Sequence, residues 1–287
     1  MPRKGSSKHS SSRRCNMNYV YDSTSSRAPA IAELFELWRY RDLLRLLVIN
    51  SIKTRYRRSL LGVVWTLLNP LMMTLVLTIA FTTIMRFDVK TYPVYLLSGL
   101  ISWNFFSQTT LQTNNTLVWG SGLLKRVYIP RTIFAVSVLG NGLMNFTLAL
   151  FPLTIVMLIF GHPLKVTLLL LPIPLLFTAM FTLGVALMVS TLSVFYTDVV
   201  DIYNIFLSIW FYLTPVFYPI SILPPRVAAI LKWNPMSQLL ELFRALIYYG
   251  EFPSLSSIAI TGAFSVLFLT IGWLVFTKRM DDLAYRI

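Results

Sequence analysis

The side chains in this sequence that could do chemistry are few, and they are poorly placed for catalysis. Its two histidines, His9 and His162, fall in a basic amino-terminal stretch and a short connecting loop, without the neighbours that metal binding or acid–base work requires. A single cysteine, Cys15, excludes an intrachain disulfide and a cysteine-based metal site. Eleven acidic residues are present, and none falls in the middle of a long apolar run, where ion-coupled pumps keep a functional carboxylate. Asp198 and Asp201, three apart, have two readings: a catalytic carboxylate pair, or caps that favour the positive end of a helix dipole. No nucleotide-binding sequence is present, which leaves any energy source to another chain.

The remaining candidates suit transport. Segment 122–131, with Gly122, Leu123, Lys125, Arg126, Tyr128, Pro130 and Arg131, is a short amphipathic turn bracketed by glycine and proline. It fits either a partner's groove or lipid headgroups. Tyr203, Phe206, Trp210 and Tyr212 crowd one apolar run and Trp65 lies in another. Flat rings lining a wide pore would let sugar faces slide past at weak, repeated sites, and helix packing is the other role open to them. Pro215, Phe217, Tyr218, Pro224, Pro225, Asn234 and Pro235 stud the segment around 213–236. Prolines this dense break a helix into pieces, and irregular backbone at membrane depth survives only where protein or water covers it. That loop therefore reads as a gate, with an exterior interfacial loop as the alternative. Glu241 and Arg244, three apart, can meet on one helical face.

The elements that must position these residues follow from composition. Of the 287 residues 56% are apolar and only 13% charged, unlike soluble domains in which about a quarter carry charge. Runs 59–85, 91–124 and 252–277 hold no charge at all, each long enough to cross about 30 Å of hydrocarbon. Hydropathy predicts six spans, near 60–85, 93–115, 132–160, 166–194, 202–217 and 255–277. Ahead of them, residues 30–58 read as an amphipathic interfacial helix in two pieces. Trp38 lies on its apolar face, Arg41 precedes Asp42, which caps the second piece, and the basic end with Arg55 and Tyr56 sits at the headgroups.

Residues 1–29 read as a disordered basic cytoplasmic tail, and 59–287 as the six-span domain with outer gate helices at about 219–250. The net charge of +14 is concentrated: 13 of the 25 Lys and Arg precede Ser59. That placement marks membrane orientation rather than nucleic-acid binding. With the amino terminus inside, 19 cations face the cytoplasm and 6 face out, so both termini are expected to be cytoplasmic.

An ordered series of short motifs carries a family resemblance over residues 33–279. It runs through Arg41-Asp42-Leu43, Lys53-Thr54-Arg55-Tyr56, Leu61-Gly62 with Trp65, Leu68 and Pro70, and Ser98-Gly99-Leu100 with Trp103 and Phe105-Phe106. It ends with Thr214-Pro215-Val216-Phe217-Tyr218 and Asn234-Pro235-Met236. The chain resembles the membrane (permease) subunit of type 2 ABC exporters of lipid-linked polysaccharide, the group exporting O-antigen, capsule and teichoic acid.

The resemblance implies an all-α integral membrane protein of the bacterial inner membrane, with six transmembrane helices and two short re-entrant gate helices between spans five and six. It implies no cofactor on this chain, a second copy of the chain, and two copies of a cytoplasmic ATPase that hold ATP and Mg. It further implies a coupling role for 122–131, a channel along spans one and five, and a lipid-linked glycan as cargo. Relatives often carry an Arg-Asp pair where this chain has Asn50-Ser51 and Thr197-Asp198, and the arginine is missing at both places. Within the class the alternative is an exporter of small lipids or drugs. Outside it stand an ion-coupled flippase, which lacks mid-span carboxylates, and a membrane glycosyltransferase, which lacks an acid–base cluster.

Overall fold

Two amphipathic helices, α1 (Pro29–Arg39) and α2 (Arg41–Arg57), precede the apolar body, and the chain breaks between them at Tyr40. The computed structural model describes residues 29–57, 62–84, 88, 90–119 and 130–279. Leu34, Phe35 and Trp38 leave their side chains outward from α1, Trp38 being 72% exposed, and the Arg41 guanidinium lies 5.2 Å from the centre of the Trp38 ring. An apolar stripe this exposed on a charged helix suits a membrane interface. Asp42 sits inside the first turn of α2 rather than capping it, where its charge still favours the helix dipole. The side chains of Arg55, Tyr56 and Trp65 lie outside the described ones, as do Gly122, Leu123, Lys125, Arg126 and Tyr128.

Each of the six predicted apolar runs contains a helix among the described residues. They form α3 (Gly62–Ile84), α4 (Tyr92–Trp119), α5 (Arg131–Ile159), α6 (Pro172–Phe195, after a 3₁₀ turn at Val166–Leu170), α7 (Val199–Leu213) and α10 (Leu255–Lys278). Three of them, α5, α6 with its leading turn, and α10, are by length and composition apolar enough to cross a membrane. Helix α7 has only 15 residues, and the shorter apolar stretch in α3 is Leu68–Ile84. Helix α4 is 28 residues long but diluted by serine, threonine, asparagine and glutamine. No strand occurs among the described residues.

Helix α4 is the hub, packing against α3, α5, α6, α7 and the short helix α9 (Pro235–Arg244). Its Leu96, Leu100, Trp103 and Phe106 join Phe181 of α6 and Leu207 of α7 in one buried cluster. Helices α6 and α10 cross at glycines: a Cβ on Gly184 would strike the Phe268 carbonyl, and one on Gly272 would strike the Gly184 carbonyl. Close backbone approach through small residues is how apolar helices associate without a hydrophobic drive from water.

Another cluster ties Leu47 of α2 to Leu117 near the end of α4, Phe134 near the start of α5, Leu187 of α6 and Phe276 near the end of α10. This defines one end of the bundle. The start of α4 and the chain leaving α7 meet at the opposite end, where Tyr92 Oη donates to the Phe217 carbonyl.

Candidate functional site

Helix α7 stops at Thr214, whose extended backbone precedes Pro215, as a proline demands of the residue before it. The following segment is held by three side chains from two other helices. Arg244, fully buried at the end of α9, donates from Nη1 to the Pro215 carbonyl and from Nη2 to the Val216 carbonyl, each at 2.6 Å. Tyr92 and Tyr95 of α4 donate their hydroxyls to the next two carbonyls, Phe217 at 2.8 Å and Tyr218 at 3.0 Å. Four consecutive carbonyls, 215–218, thus each receive a side-chain donor.

A guanidinium away from water needs its donors satisfied, and here carbonyl oxygens serve Nη1 and Nη2 where a carboxylate would be expected, while Nε has no partner among the described residues. The Tyr95 ring covers it at 3.7 Å, adding a cation–π contact. Glu241, predicted as its partner, is exposed and influences Arg244 through charge, while the two Nη groups go to the backbone. Gly99 of α4 makes room for this arrangement. A Cβ there would come within 2.8 Å of Arg244 Nη2 and 2.9 Å of the Val216 oxygen.

Asn234 makes the second anchor. Its Oδ1 accepts from the Met236 amide and from Trp210 Nε1, both at 3.0 Å, and its Nδ2 donates to Thr214 Oγ1 at 3.1 Å. One carboxamide therefore caps α9, with Pro235 at the first helical position, and ties α9 to the end of α7. Between them lies α8 (Pro225–Leu231), which uses Pro224 and Pro225 in the same entrance role, both exposed. After α9 a π turn at Ala245–Tyr249 ends in Gly250 at φ +62°, a left-handed position that favours glycine. His162 Nε2 lies 3.2 and 3.0 Å from the carbonyls of Ile247 and Tyr248, and Thr167 donates to the Leu246 carbonyl at 2.9 Å. This accounts for His162 as a loop anchor.

The aromatic residues of α7 divide between two faces. Tyr203 is buried. Trp210 is half-buried, its ring edge-on to Phe106 at 5.2 Å and Trp103 at 6.2 Å. Phe206 and Tyr212, 49% and 65% exposed, occupy the outward face. Phe217 and Tyr218 continue this aromatic run, with rings 5.0 Å apart. Beside that face lies a cleft of about 430 Å³ between α3, α4 and α7, lined by Asn69, Trp103, Asn104, Ser107, Asn204 and Tyr212 among others. Sequence reasoning named the rings but missed Tyr92, Tyr95, Asn69 and Asn104. The spacing of Tyr92, Tyr95 and Gly99 on one helical face was the available signal.

At the opposite end, Thr132 Oγ1 donates to Glu33 Oε2 at 2.5 Å, joining α1 to the start of α5, immediately after segment 122–131. Burial pushes the Glu33 carboxyl up from its usual range. The Thr132 hydrogen bond counteracts this, and the neighbouring Glu36 charge adds to it. Pro130 is buried here and Arg131 half-buried. Asp198 precedes α7 without a side-chain capping bond, and Asp201 lies in that helix's first turn, both exposed.

The pattern of the ABC-2 type transporter family matches residues 42–248, a span that contains both anchors, the cleft and segment 122–131. The chain is 32% identical over 255 residues to the O-antigen export system permease protein RfbA of Myxococcus xanthus, covering 88% of this chain and 98% of that protein. It is 26% identical to an RfbA of Klebsiella pneumoniae, covering 85% and 93%. It is 23% identical to the polysialic acid transport protein KpsM of Escherichia coli, covering 82% and 92%. With its family pattern, its helices and its near full-length relatives in agreement, the chain belongs to the ABC-2 type transporter family of membrane proteins.

Proposed function

We propose that this chain is the channel-forming permease subunit of an ATP-driven exporter that moves lipid-linked polysaccharide across the bacterial inner membrane. The observation that carries the reading is the near end-to-end similarity to a permease named for O-antigen export. An uncharged polar cleft beside an aromatic helix face supports it, because hydroxyl-rich cargo needs neutral hydrogen-bonding groups and flat apolar ones together.

In this reading α3 to α7 and α10 are six spans, residues 1–29 and the carboxyl terminus are cytoplasmic, and 30–58 lies along the inner headgroups. Helices α8 and α9 fold back into the outer leaflet as the exit gate, built around Pro215, Phe217, Tyr218, Asn234 and Arg244. Two copies of the chain face each other across a channel bordered by α3 and α7. Two copies of a separate ATPase, holding ATP and Mg, dock on 122–131 and on α1. The Glu33–Thr132 hydrogen bond supports a shared role for those two segments, since it links α1 to the helix that segment 122–131 enters. Closure of the ATPase would then bias the equilibrium between a shut and an open channel.

Reconstitution of the chain with its partner ATPase in vesicles tests the proposal. The expected result is ATP-dependent transfer of lipid-linked glycan across the bilayer. Transfer of a glycan-free lipid, with no transfer of the glycan-bearing one, would overturn it in favour of a small-lipid exporter.

A further inference from the structure

We propose that the uncharged carboxamides of Asn69, Asn104, Gln108, Gln112 and Asn115 form a binding track for a neutral, hydroxyl-rich sugar chain. The inference rests on the export reading above and narrows its cargo. Residues 104, 108, 112 and 115 are spaced by four, four and three, which places them on one face of α4. At 1.5 Å per residue that row extends roughly 16 Å, from the middle of the helix toward its Trp119 end. Asn69 of α3 stands beside it: the large cleft and a second hollow of about 280 Å³ both carry Asn69 and Asn104, and the second also carries Gln108 and Gln112. A third hollow continues along Gln112 and Asn115.

The two faces of α4 treat polar groups differently. Ser98, Ser102, Thr110 and Thr113, all buried, donate to carbonyls of their own helix, which satisfies them within the protomer. The five carboxamides are half-buried or exposed and find no hydrogen-bond partner among the described residues. Bare amides against hydrocarbon are unfavourable, so this face must meet water, protein or cargo.

Concavity favours cargo. The cleft of about 430 Å³ includes the Trp103 ring and the exposed Tyr212, setting apolar surface beside groups that both donate and accept. A sugar hydroxyl likewise donates and accepts, and a series of equivalent weak sites allows a polymer to advance without stopping. None of the residues lining the three hollows is charged. Carboxylates on an acidic polymer would therefore lose water there without gaining a cation, so the track selects for neutral chains.

The test uses the complete exporter with its ATPase in vesicles and follows tryptophan fluorescence, because Trp103 lines the cleft. A short neutral glucan oligosaccharide should change the emission, and an oligosialic acid of equal length should not. Gln108→Leu with Gln112→Leu should weaken the neutral probe about tenfold, whereas Gln108→Asn with Gln112→Asn should retain most of the binding. Absence of a neutral-probe response, preference for the acidic probe, or unchanged affinity in the leucine variant would each overturn the track. Dissociation of the paired subunits in the leucine variant would overturn it too, by making this face a contact between copies of the chain. ATP-driven glycan transfer by the wild-type vesicles reads the export proposal separately, so failure of the track leaves that result standing.

Discussion

The two ends of helix α4 use polar groups in opposite ways. Around Tyr92, Tyr95 and Gly99, side chains of α4 and α9 converge on the segment leaving α7, and all four carbonyls from Pro215 to Tyr218 receive donors. From Asn104 to Asn115 the same helix presents carboxamides that find no partner among the described residues. In the first region each carbonyl from 215 to 218 is bonded within the protomer, which fixes one backbone path. The second leaves its bonding capacity open, which suits a surface that must accept successive units of a moving chain. The proposed gate would need the first treatment and the proposed track the second.

Removing Arg244 breaks the comparison at its strongest point. Arg244→Leu leaves the Pro215 and Val216 carbonyls buried without donors, and the expected loss is about 3–5 kcal/mol. Thermal unfolding of the purified complex should show a lower midpoint and less folded protein. Arg244→Lys should recover only part of this, since an ammonium lacks the planar fork that reaches two carbonyls at once. If Arg244→Leu unfolded at the wild-type temperature, segment 215–218 would owe its path to packing alone. Gly99→Ala comes next, because its methyl group meets both the guanidinium and the Val216 oxygen below 3 Å. Overpacking of this kind costs about 1–3 kcal/mol. Alanine has the higher helix propensity, so a stabilised Gly99→Ala protein would show that α4 shifts freely away from the anchor.

The helices are legible in the sequence because charge-free apolar runs leave few alternatives, and Asn234-Pro235 is legible because capping is local. Arg244 was assigned to Glu241, one helical turn away, whereas its acceptors lie 28 and 29 positions earlier in the chain. Carbonyls left bare by a proline break are invisible until tertiary structure brings a donor to them. Segment 202–217 was expected as one span, and the helix ends at Leu213 because Thr214 must be extended ahead of Pro215. The carboxamide row was legible as the 4-4-3 spacing of Asn104, Gln108, Gln112 and Asn115 inside a charge-free run. It was passed over because rings drew the reading toward α7, where Tyr203 turns inward.

Tyr95→Phe sharpens the comparison with a smaller change. The ring stays over Arg244 while the Tyr218 carbonyl loses its donor, so the expected cost is about 1 kcal/mol or somewhat more. Local hydrogen exchange in residues 216–222 should rise before global stability moves. Uniform destabilisation with no local effect would mean that the hydroxyl bond does not hold this segment.

The smallest expected effect lies at the opposite end, where Glu33 meets Thr132. Burial raises the Glu33 pKa in the folded state above its ordinary value near 4.5. A carboxyl raised on folding binds more protons in the folded form, so its contribution is fully present below about pH 4.5 and is lost as pH rises through the folded value. Docking of α1 should accordingly loosen from acidic toward neutral pH, seen as faster amide exchange in residues 33–39 after correction for the intrinsic rate. Glu33→Gln, which keeps a group able to accept from Thr132 and removes the charge, should flatten that dependence and hold α1 in place at neutral pH. An unchanged pH profile in Glu33→Gln would assign the loosening to a group other than Glu33. Helix α1 would then be held through packing on α5 and α10, with no titrating contact to set against the carbonyl-bound Arg244 anchor at the other end of the bundle.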